Sequence, residues 1–225
     1  MEITWYGHSC FRVTERSLPT VVADPYDHLK VGFKPLKIKG EITTVSHDAP
    51  GHNFVKGVKG SQWELRGPGE YEIGGIFITG VAIKEAKQVS NMVFILDYDG
   101  VTIGHLGDMQ KVPTQTQVEA FGTVDVLMVP VGGGNALNAA KAAEVIAMIE
   151  PGIVIPMHYK TAGGSQKLSA LRQFLQEMGL SSAKAEPSLK VTSSSIPEET
   201  KVMVLEVALN AINFFLPDHS FQEII

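Results

Sequence analysis

The first half of the chain has the residue pattern of β-sheet. Short runs of alternating or β-branched residues dominate up to about Ile103, for example at 76–79 and 92–96. Alternation with a period of two puts one face of a strand in the core and the other in solvent. Asp99 and Gly100, which separate two such runs, are typical of a tight hairpin turn. We therefore predict that this half is mostly sheet.

After Thr114 the pattern changes to helix and strand in alternation. Helices are predicted at 115–120 and 139–149, the second one capped by Asn138, and strands at 124–129 and 153–157. This order of elements predicts an α/β fold in which two sheets pack against each other with helices on their outer faces.

The region after residue 165 gives two further predictions. An amphipathic helix is expected at 166–178, where apolar residues recur at intervals of three and four before Gly179. Residues 181–195 are rich in serine and broken by Pro187, which favours a loop with one short strand at 189–191.

Composition is that of a single compact domain. The chain has 225 residues, of which 44% are hydrophobic, so it can bury a sizeable core without disulfides. Its formal net charge of -5, with no dense cluster of Lys and Arg, argues against a nucleic-acid partner. The sole cysteine, Cys10, lies in an apolar run and is expected to be a packed thiol. Because no signal-like or membrane-length apolar segment is present, we expect a cytoplasmic protein without a membrane partner.

Three predicted strands are each followed by side chains that can bind a metal. His47 and His52 follow the run at 41–45, His105 and Asp108 follow 101–103, and His158 follows 153–157. Loops at the C-terminal ends of strands are where α/β folds carry their chemistry. Imidazole and carboxylate are common ligands of zinc and related metals. Taken alone, two histidines near a turn are more often solvated or hydrogen-bonded side chains than metal ligands.

These segments, together with those at 5–11, 21–25, 67–75 and 129–133, resemble the metallo-β-lactamase superfamily. Within it they resemble the branch of small zinc-dependent hydrolases related to the ascorbate-6-phosphate lactonase group. The resemblance runs from Met1 to about Thr161 and resumes near 201–207. It implies a four-layer αββα sandwich over residues 1–207, followed by a tail at 208–225, and a metal centre at the strand ends.

The metal-binding motif of this family is only partly kept. The family signature His-x-His-x-Asp-His reads here as His47, Ala49, Gly51 and His52, so the second histidine and the aspartate are missing. In the family these two residues belong to different metal positions, and each position therefore loses one ligand. Asp48 next to His47 is expected to cap the turn rather than to replace either of them.

The remaining ligand positions are carried by other segments. By resemblance, Glu85 lies at or near the position of a later histidine, Asp108 matches the carboxylate that bridges the two metals, and His158 matches the final ligand. A catalytic zinc normally keeps three protein ligands, which His52, Asp108 and His158 can supply. The resemblance thus implies one zinc or other divalent transition metal, or none, with His47 and Glu85 as further ligands and Asp108 and His52 as catalytic residues.

Several neighbouring polar residues have no matching ligand position. His8 and His105 are expected to lie near the site in packing or outer-shell roles, and Asp24 resembles a structural aspartate of the family.

Two functions of different classes remain open from the sequence. The first is a hydrolase whose cation polarises an ester, lactone, amide or phosphoester bond of a small molecule that the sequence does not identify. The second is a catalytically silent binding or assembly module, which the losses at positions 49 and 51 favour.

The tail carries a separate prediction. Its apolar residues fall on one helical face, and this face is expected either to dock on its own domain or to form a subunit contact of a homo-oligomer. The residues concerned are Leu209, Ile212, Phe215 and Leu216.

Overall fold

A computed structural model describes residues 1–85 and 88–208, including their side chains except at 85 and 88–90. The strands in chain order are β1 (Glu2–Trp5), β2 (Phe11–Thr14), β3 (Val21–Ala23), β4 (Ile38–Lys39), β5 (Ile42–Thr44), β6 (Val58–Lys59), β7 (Trp63–Leu65), β8 (Gly69–Ile73), β9 (Ile76–Glu85), β10 (Gln88–Tyr98), β11 (Val101–His105), β12 (Val126–Pro130), β13 (Ile153–Met157), β14 (Ala185–Glu186), β15 (Leu189–Lys190), β16 (Lys201–Val202) and β17 (Val204–Leu205). The helices are α1 (His28–Val31), α2 (Gln115–Phe121), α3 (Ala139–Ile149) and α4 (Leu171–Glu177). The predicted apolar helical face of the tail lies outside the described residues.

Two large sheets form the framework, which confirms the predicted mixed α/β fold of packed sheets. Within the described residues, one sheet has six strands in the order β15-β1-β2-β3-β5-β7, and the other has seven in the order β16-β13-β12-β11-β10-β9-β8. Strands β3, β5 and β7 run parallel in the first sheet, as do β11, β12, β13 and β16 in the second. Parallel strands end at one edge of a sheet, so the loops that carry the candidate ligands gather at these edges.

The core lies between the two sheets. Trp5, Phe11 and Ile42 of the first sheet belong to the same buried apolar cluster as Phe94 and Ile103 of the second. Each such side chain contributes about 1.5–3 kcal/mol when fully buried. The hydrophobic effect therefore fixes the sheets face to face and brings their loop-bearing edges together.

Local sequence signals located several elements correctly. Helix α3 spans Ala139–Ile149, and the Asn138 side chain accepts a hydrogen bond from the Lys141 N–H as a cap. The hairpin between β10 and β11 turns at Asp99 and Gly100, which have φ values of 51° and 81°. Positive φ at both central residues is what a tight hairpin turn requires.

The helix predicted at 166–178 is shorter than expected. Helix α4 spans only Leu171–Glu177. The preceding backbone is already bonded elsewhere, because Lys160 N donates to Ser169 O (2.9 Å) and Ser169 N donates to Gly132 O (2.9 Å). These tertiary hydrogen bonds override the helical periodicity of residues 166–170.

The serine-rich segment is more ordered than predicted. Besides the expected strand at β15, it contains β14, which pairs with β17. Among the described residues, no helix has the length and apolar character needed to cross a membrane.

Candidate metal centre

The candidate ligands lie where the two sheets meet. His47 and His52 are on the loop after β5 of the first sheet, whereas Asp108 and His158 follow β11 and β13 of the second. All four line one cavity of about 400 Å³. A larger cavity of about 730 Å³ lies elsewhere and has no histidine among its lining residues. The structure thus brings together the four side chains that match the family's ligand positions.

Asp24 organises the loop that carries both histidines. Its fully buried carboxylate accepts hydrogen bonds from Ser46 N (2.7 Å), Ser46 Oγ (2.6 Å) and His52 Nδ1 (2.7 Å). Burial opposes its ionisation, but the His52 and His105 imidazoles and these hydrogen bonds lower the pKa of Asp24 below its ordinary value. Asp24 therefore has the predicted structural role, because its hydrogen bond to Nδ1 orients the His52 ring with Nε2 toward the cavity.

Asp108 is the centre of the cluster. Its Oδ2 lies 3.1 Å from His52 Nε2 and 4.0 Å from His47 Nε2, and its Oδ1 lies 2.7 Å from His158 Nδ1. Burial lowers the pKa of His52, but the Asp108 and Asp24 carboxylates outweigh it and raise this pKa to about 10. Burial raises the pKa of Asp108, but the His52 and His158 imidazoles outweigh it and hold this pKa well below its usual range. Without a cation, a proton on His52 compensates the buried negative charge.

Three of these side chains can share one cation. A ligand atom from each of His47, His52 and Asp108 lies within 4.8 Å of the other two. Bonds of about 2.0–2.2 Å from zinc to nitrogen or oxygen bring such atoms to a common ion after small side-chain shifts. His158 is outside this set, and its Nδ1 approaches the other oxygen of Asp108 (2.7 Å), so an ion shared by His52, Asp108 and His158 requires a larger movement of the side chains.

The contact between His158 and Asp108 can take up a cation. His158 Nε2 is 3.1 Å from Gln166 Oε1, and because an amide oxygen only accepts, this nitrogen carries the proton. In the neutral form of the ring, Nδ1 then presents a lone pair. Both Nδ1 and Asp108 Oδ1 are buried without a hydrogen-bond partner despite their 2.7 Å separation. Two such atoms in a buried site need a positive charge between them, which either a second proton on the imidazole or a metal ion supplies.

His47 is the most accessible member of the cluster, with 23% of its side chain exposed. Ser46 Oγ gives its proton to Asp24, so at its 3.0 Å contact with His47 Nδ1 the oxygen accepts and the ring nitrogen donates. His47 Nε2 is consequently an acceptor that faces Asp108. Burial, and after it the neighbouring His52, lowers the pKa of His47, which keeps this nitrogen unprotonated at neutral pH.

The other candidate residues are placed as follows. The Asp48 side chain is 88% exposed and accepts from Asn53 Nδ2 (2.5 Å), so the expected cap through its own backbone is wrong and Asp48 points away from the cluster. Glu85 is the last residue of β9, and because its side chain lies outside the described part, its role as a ligand stays a prediction. His105 Nε2 donates to Ser9 O (2.9 Å), which agrees with the expected packing role.

Asn91 is a functional neighbour that sequence analysis did not identify. It is buried, its Nδ2 donates to Leu106 O (2.8 Å), and its Oδ1 accepts from Asp108 N (3.0 Å). These bonds close the turn at Gly107, whose φ of 56° favours glycine. The Gly107 turn was the only sequence signal for this arrangement, and it did not indicate which side chain braces it.

The ring of His8 also lines the cavity. Its centroid lies 4.8 Å from that of His52 and 4.4 Å from that of His158. Burial, followed by the neighbouring imidazoles of His52 and His158, holds the pKa of His8 well below its ordinary value. The ring is therefore neutral beside the candidate ligands.

Comparison with known proteins agrees with this geometry. The profile of the beta-lactamase superfamily domain matches residues 2–158. A proposed Zn-dependent hydrolase of the metallo-β-lactamase superfamily from Thermotoga maritima has a solved structure with a TM-score of 0.75 and 32% identity, covering 91% of this chain and 97% of that one. A UPF0173 protein of Pyrococcus furiosus is 28% identical over 72% of this chain and 84% of its own length.

A UPF0173 metal-dependent hydrolase of Thermoplasma acidophilum is 24% identical, again covering 72% of this chain and 84% of its own length. The narrower likeness to the ascorbate-6-phosphate lactonase group stays a prediction. The conclusion rests on three observations: the two packed sheets, the candidate ligands at their adjoining edges, and the domain profile that matches most of the chain. The chain belongs to the metallo-β-lactamase superfamily.

Proposed function

We propose that the protein is a metal-dependent hydrolase that works with one zinc ion, held by His52, Asp108 and His158. The observation that carries this proposal is the pair of buried polar atoms, Asp108 Oδ1 and His158 Nδ1, that lie 2.7 Å apart and that a metal ion could satisfy together. The names of the Thermotoga and Thermoplasma relatives support the same activity. Ala49 and Gly51 supply no coordinating atoms, and this loss favours one ion over two.

A bound zinc ion supplies Lewis-acid chemistry, since it polarises a carbonyl or phosphoryl oxygen and lowers the pKa of water. The protein's own residues prepare the site for this chemistry. Asp24 orients His52, and Gln166 orients His158. His47 Nδ1 donates a hydrogen bond to Ser46 Oγ, which leaves His47 Nε2 free to accept a proton in the cavity. We propose His47 Nε2 as the proton acceptor of the hydrolytic step.

The cavity mouth favours anionic substrates. Its lining includes two exposed lysines, Lys30 and Lys167, whereas Asp108 is the single carboxylate among its lining residues. The positive charges at the mouth attract and orient negatively charged ester, lactone, amide or phosphoester compounds. We propose a small molecule that carries a carboxylate or phosphate group as the substrate.

The test measures zinc per chain by elemental analysis and compares hydrolysis of ester, lactone, amide and phosphoester probes before and after chelation. Asp108→Asn should abolish both zinc binding and hydrolysis. Asp48→Asn is the matched control, because it removes an exposed carboxylate from the same loop region and should change neither. Hydrolysis that survives chelation, or that is unchanged in Asp108→Asn, would contradict the proposal.

The second candidate function is a catalytically silent binding module. The absence of donor atoms at Ala49 and Gly51 favours it, because these positions do not exchange one ligand for another but remove ligands outright. Its expected result is wild-type protein that binds zinc weakly or not at all and hydrolyses none of the four probe classes.

A further inference from the structure

His8 lies on the loop between β1 and β2, and both sheets hold this loop at the candidate centre. The His8 carbonyl accepts from Trp5 Nε1 (3.0 Å) within the first sheet and from His158 N (3.1 Å) at the end of β13 in the second. On the other side, His105 Nε2 donates to the carbonyl of the next residue, Ser9. The backbone of His8 is therefore fixed relative to His158 and Asp108.

The imidazole of His8 has an unused nitrogen in the site. The residue is 3% exposed, and its Nε2 is buried without a hydrogen-bond partner. The ring lines the same cavity as His52, Asp108 and His158, and it lies against the rings of both histidines. A buried ring nitrogen without a partner is destabilising unless a ligand or ion satisfies it.

The position of this nitrogen matches a gap in the sequence motif. A Cβ atom on Gly51 would lie 2.4 Å from His8 Nε2, so any other residue at position 51 would force the His8 ring to move from its place. Position 51 is where the family resemblance expects an aspartate that binds metal. The His8 nitrogen thus stands next to the backbone from which the missing carboxylate would have projected.

We propose that His8 Nε2 is a metal ligand that replaces the aspartate missing at position 51. This inference rests on the proposed function, because it requires that the chain binds zinc. In the metal-bound protein His8 joins His52, Asp108 and His158 in a four-residue site, which requires the His8 and His158 side chains to move toward the group formed by His47, His52 and Asp108. The site is then rearranged from the family pattern, with one donor exchanged for another from a different loop.

The first test compares wild-type protein with His8→Asn and, as a matched control, with His28→Asn. Asparagine tolerates the left-handed backbone of position 8 (φ 53°), but its side chain is too short to reach the place of imidazole Nε2. His28 is a partly exposed histidine at the start of α1 and does not line the cavity. Zinc affinity is measured by chelator competition, and ligand number is read from the visible spectrum of the cobalt-loaded protein.

We expect His8→Asn to weaken zinc binding by at least about 100-fold, the upper end of what loss of an outer-shell partner costs, and to change the cobalt bands. His28→Asn should change neither. Wild-type protein that takes up no zinc or cobalt would remove both the proposed function and this inference. Wild-type uptake that His8→Asn leaves unaltered would overturn the His8 assignment alone.

A reciprocal exchange distinguishes a ligand from a packing residue. Gly51→Asp alone should lose metal, because its side chain collides with the His8 ring. The double variant His8→Asn with Gly51→Asp should regain affinity, since it restores a carboxylate where the ring was removed. If the double variant lost as much zinc affinity as Gly51→Asp alone, the proposal that His8 replaces the missing aspartate would be overturned.

A measurement on the wild-type chain covers the case in which the variants do not fold. In cadmium-loaded protein with nitrogen-labelled histidine, scalar coupling between cadmium and His8 Nε2 should appear in the NMR spectrum. A His8 signal without this coupling in the loaded protein would overturn the proposal.

Discussion

Replacing Asp24 with asparagine should loosen the candidate metal centre, although every proposed ligand residue is kept. The substitution keeps the size of the side chain but removes its charge. One amide oxygen can still accept from Ser46 N, whereas the amide NH₂ group then faces Ser46 Oγ and His52 Nδ1, which the carboxylate bonded at 2.6 and 2.7 Å. Two charge-assisted hydrogen bonds are lost from a fully buried position.

The size of the effect follows from this geometry. A hydrogen bond to a charged group is worth about 1.5–3 kcal/mol, and breaking a buried ion pair by removing one partner costs about 3–5 kcal/mol. We expect the free energy of unfolding of the metal-free protein to fall by about 3 kcal/mol. Because Asp24 orients His52, zinc affinity should also fall by about 10–100-fold.

The assay is urea unfolding of chelator-treated protein across a pH series. The depressed pKa of Asp24 means that its contribution is present above its ordinary value of 3.8 and is lost as the pH falls through its lower value in the folded protein. The raised pKa of His52 means that its contribution is complete below 6.5 and is lost as the pH rises through about 10. The difference between wild-type and Asp24→Asn should therefore be largest between about pH 4 and pH 6.5.

Asp125→Asn is the matched control. This carboxylate accepts two hydrogen bonds from Thr102 through one oxygen, does not line the cavity, and can be replaced by an amide oxygen that keeps both bonds. We expect a loss below about 1 kcal/mol and unchanged zinc affinity. The reasoning would be refuted if Asp24→Asn were as stable as Asp125→Asn, or if its zinc affinity equalled that of the wild type.

Three further results are expected. Because the pKa of His52 is raised to about 10 in the metal-free protein, zinc binding at neutral pH should release a proton, and calorimetry in buffers of different ionisation enthalpy should detect it. Burial and, next, Asp24 raise the pKa of Cys10 well above 9.0, so a thiol reagent at mildly alkaline pH should react with urea-unfolded but not native protein. Gly107→Ala should cost at least about 2 kcal/mol in urea unfolding, because its Cβ would lie 2.4 Å from Asn91 Oδ1 at a φ of 56°, whereas Gly100→Ala, also at positive φ but with nothing within 4 Å, should cost less.

The fold could be predicted where local signals and tertiary packing agree. Helix α3 has good helix formers, an asparagine cap and one apolar face, and it appears as expected. The failure at residues 166–170 has the opposite cause, since Ser169 bonds to Gly132 and Lys160 across the fold. No periodicity within a segment reports hydrogen bonds to distant loops.

The same limit applies to the candidate centre. His47, His52, Asp108 and His158 could be found because each follows a strand and matches a family position. The relation between His8 and Gly51 could not be found, because it depends on two loops that are far apart in sequence and meet only in three dimensions. The sequence shows an aspartate missing at position 51 and a histidine present at position 8. Neither fact alone indicates that the two positions are related.

The position of the centre between the sheets links ion binding to the integrity of the whole fold. His52 extends from the first sheet, and Asp108 and His158 extend from the second. An ion held by all three would cross-link two sheets that are otherwise joined mainly by apolar packing. The sheets cannot separate without releasing it. Zinc should therefore slow amide hydrogen exchange in both sheets together, wherever exchange requires the layers to part, by a factor that grows with the ratio of free zinc to its dissociation constant.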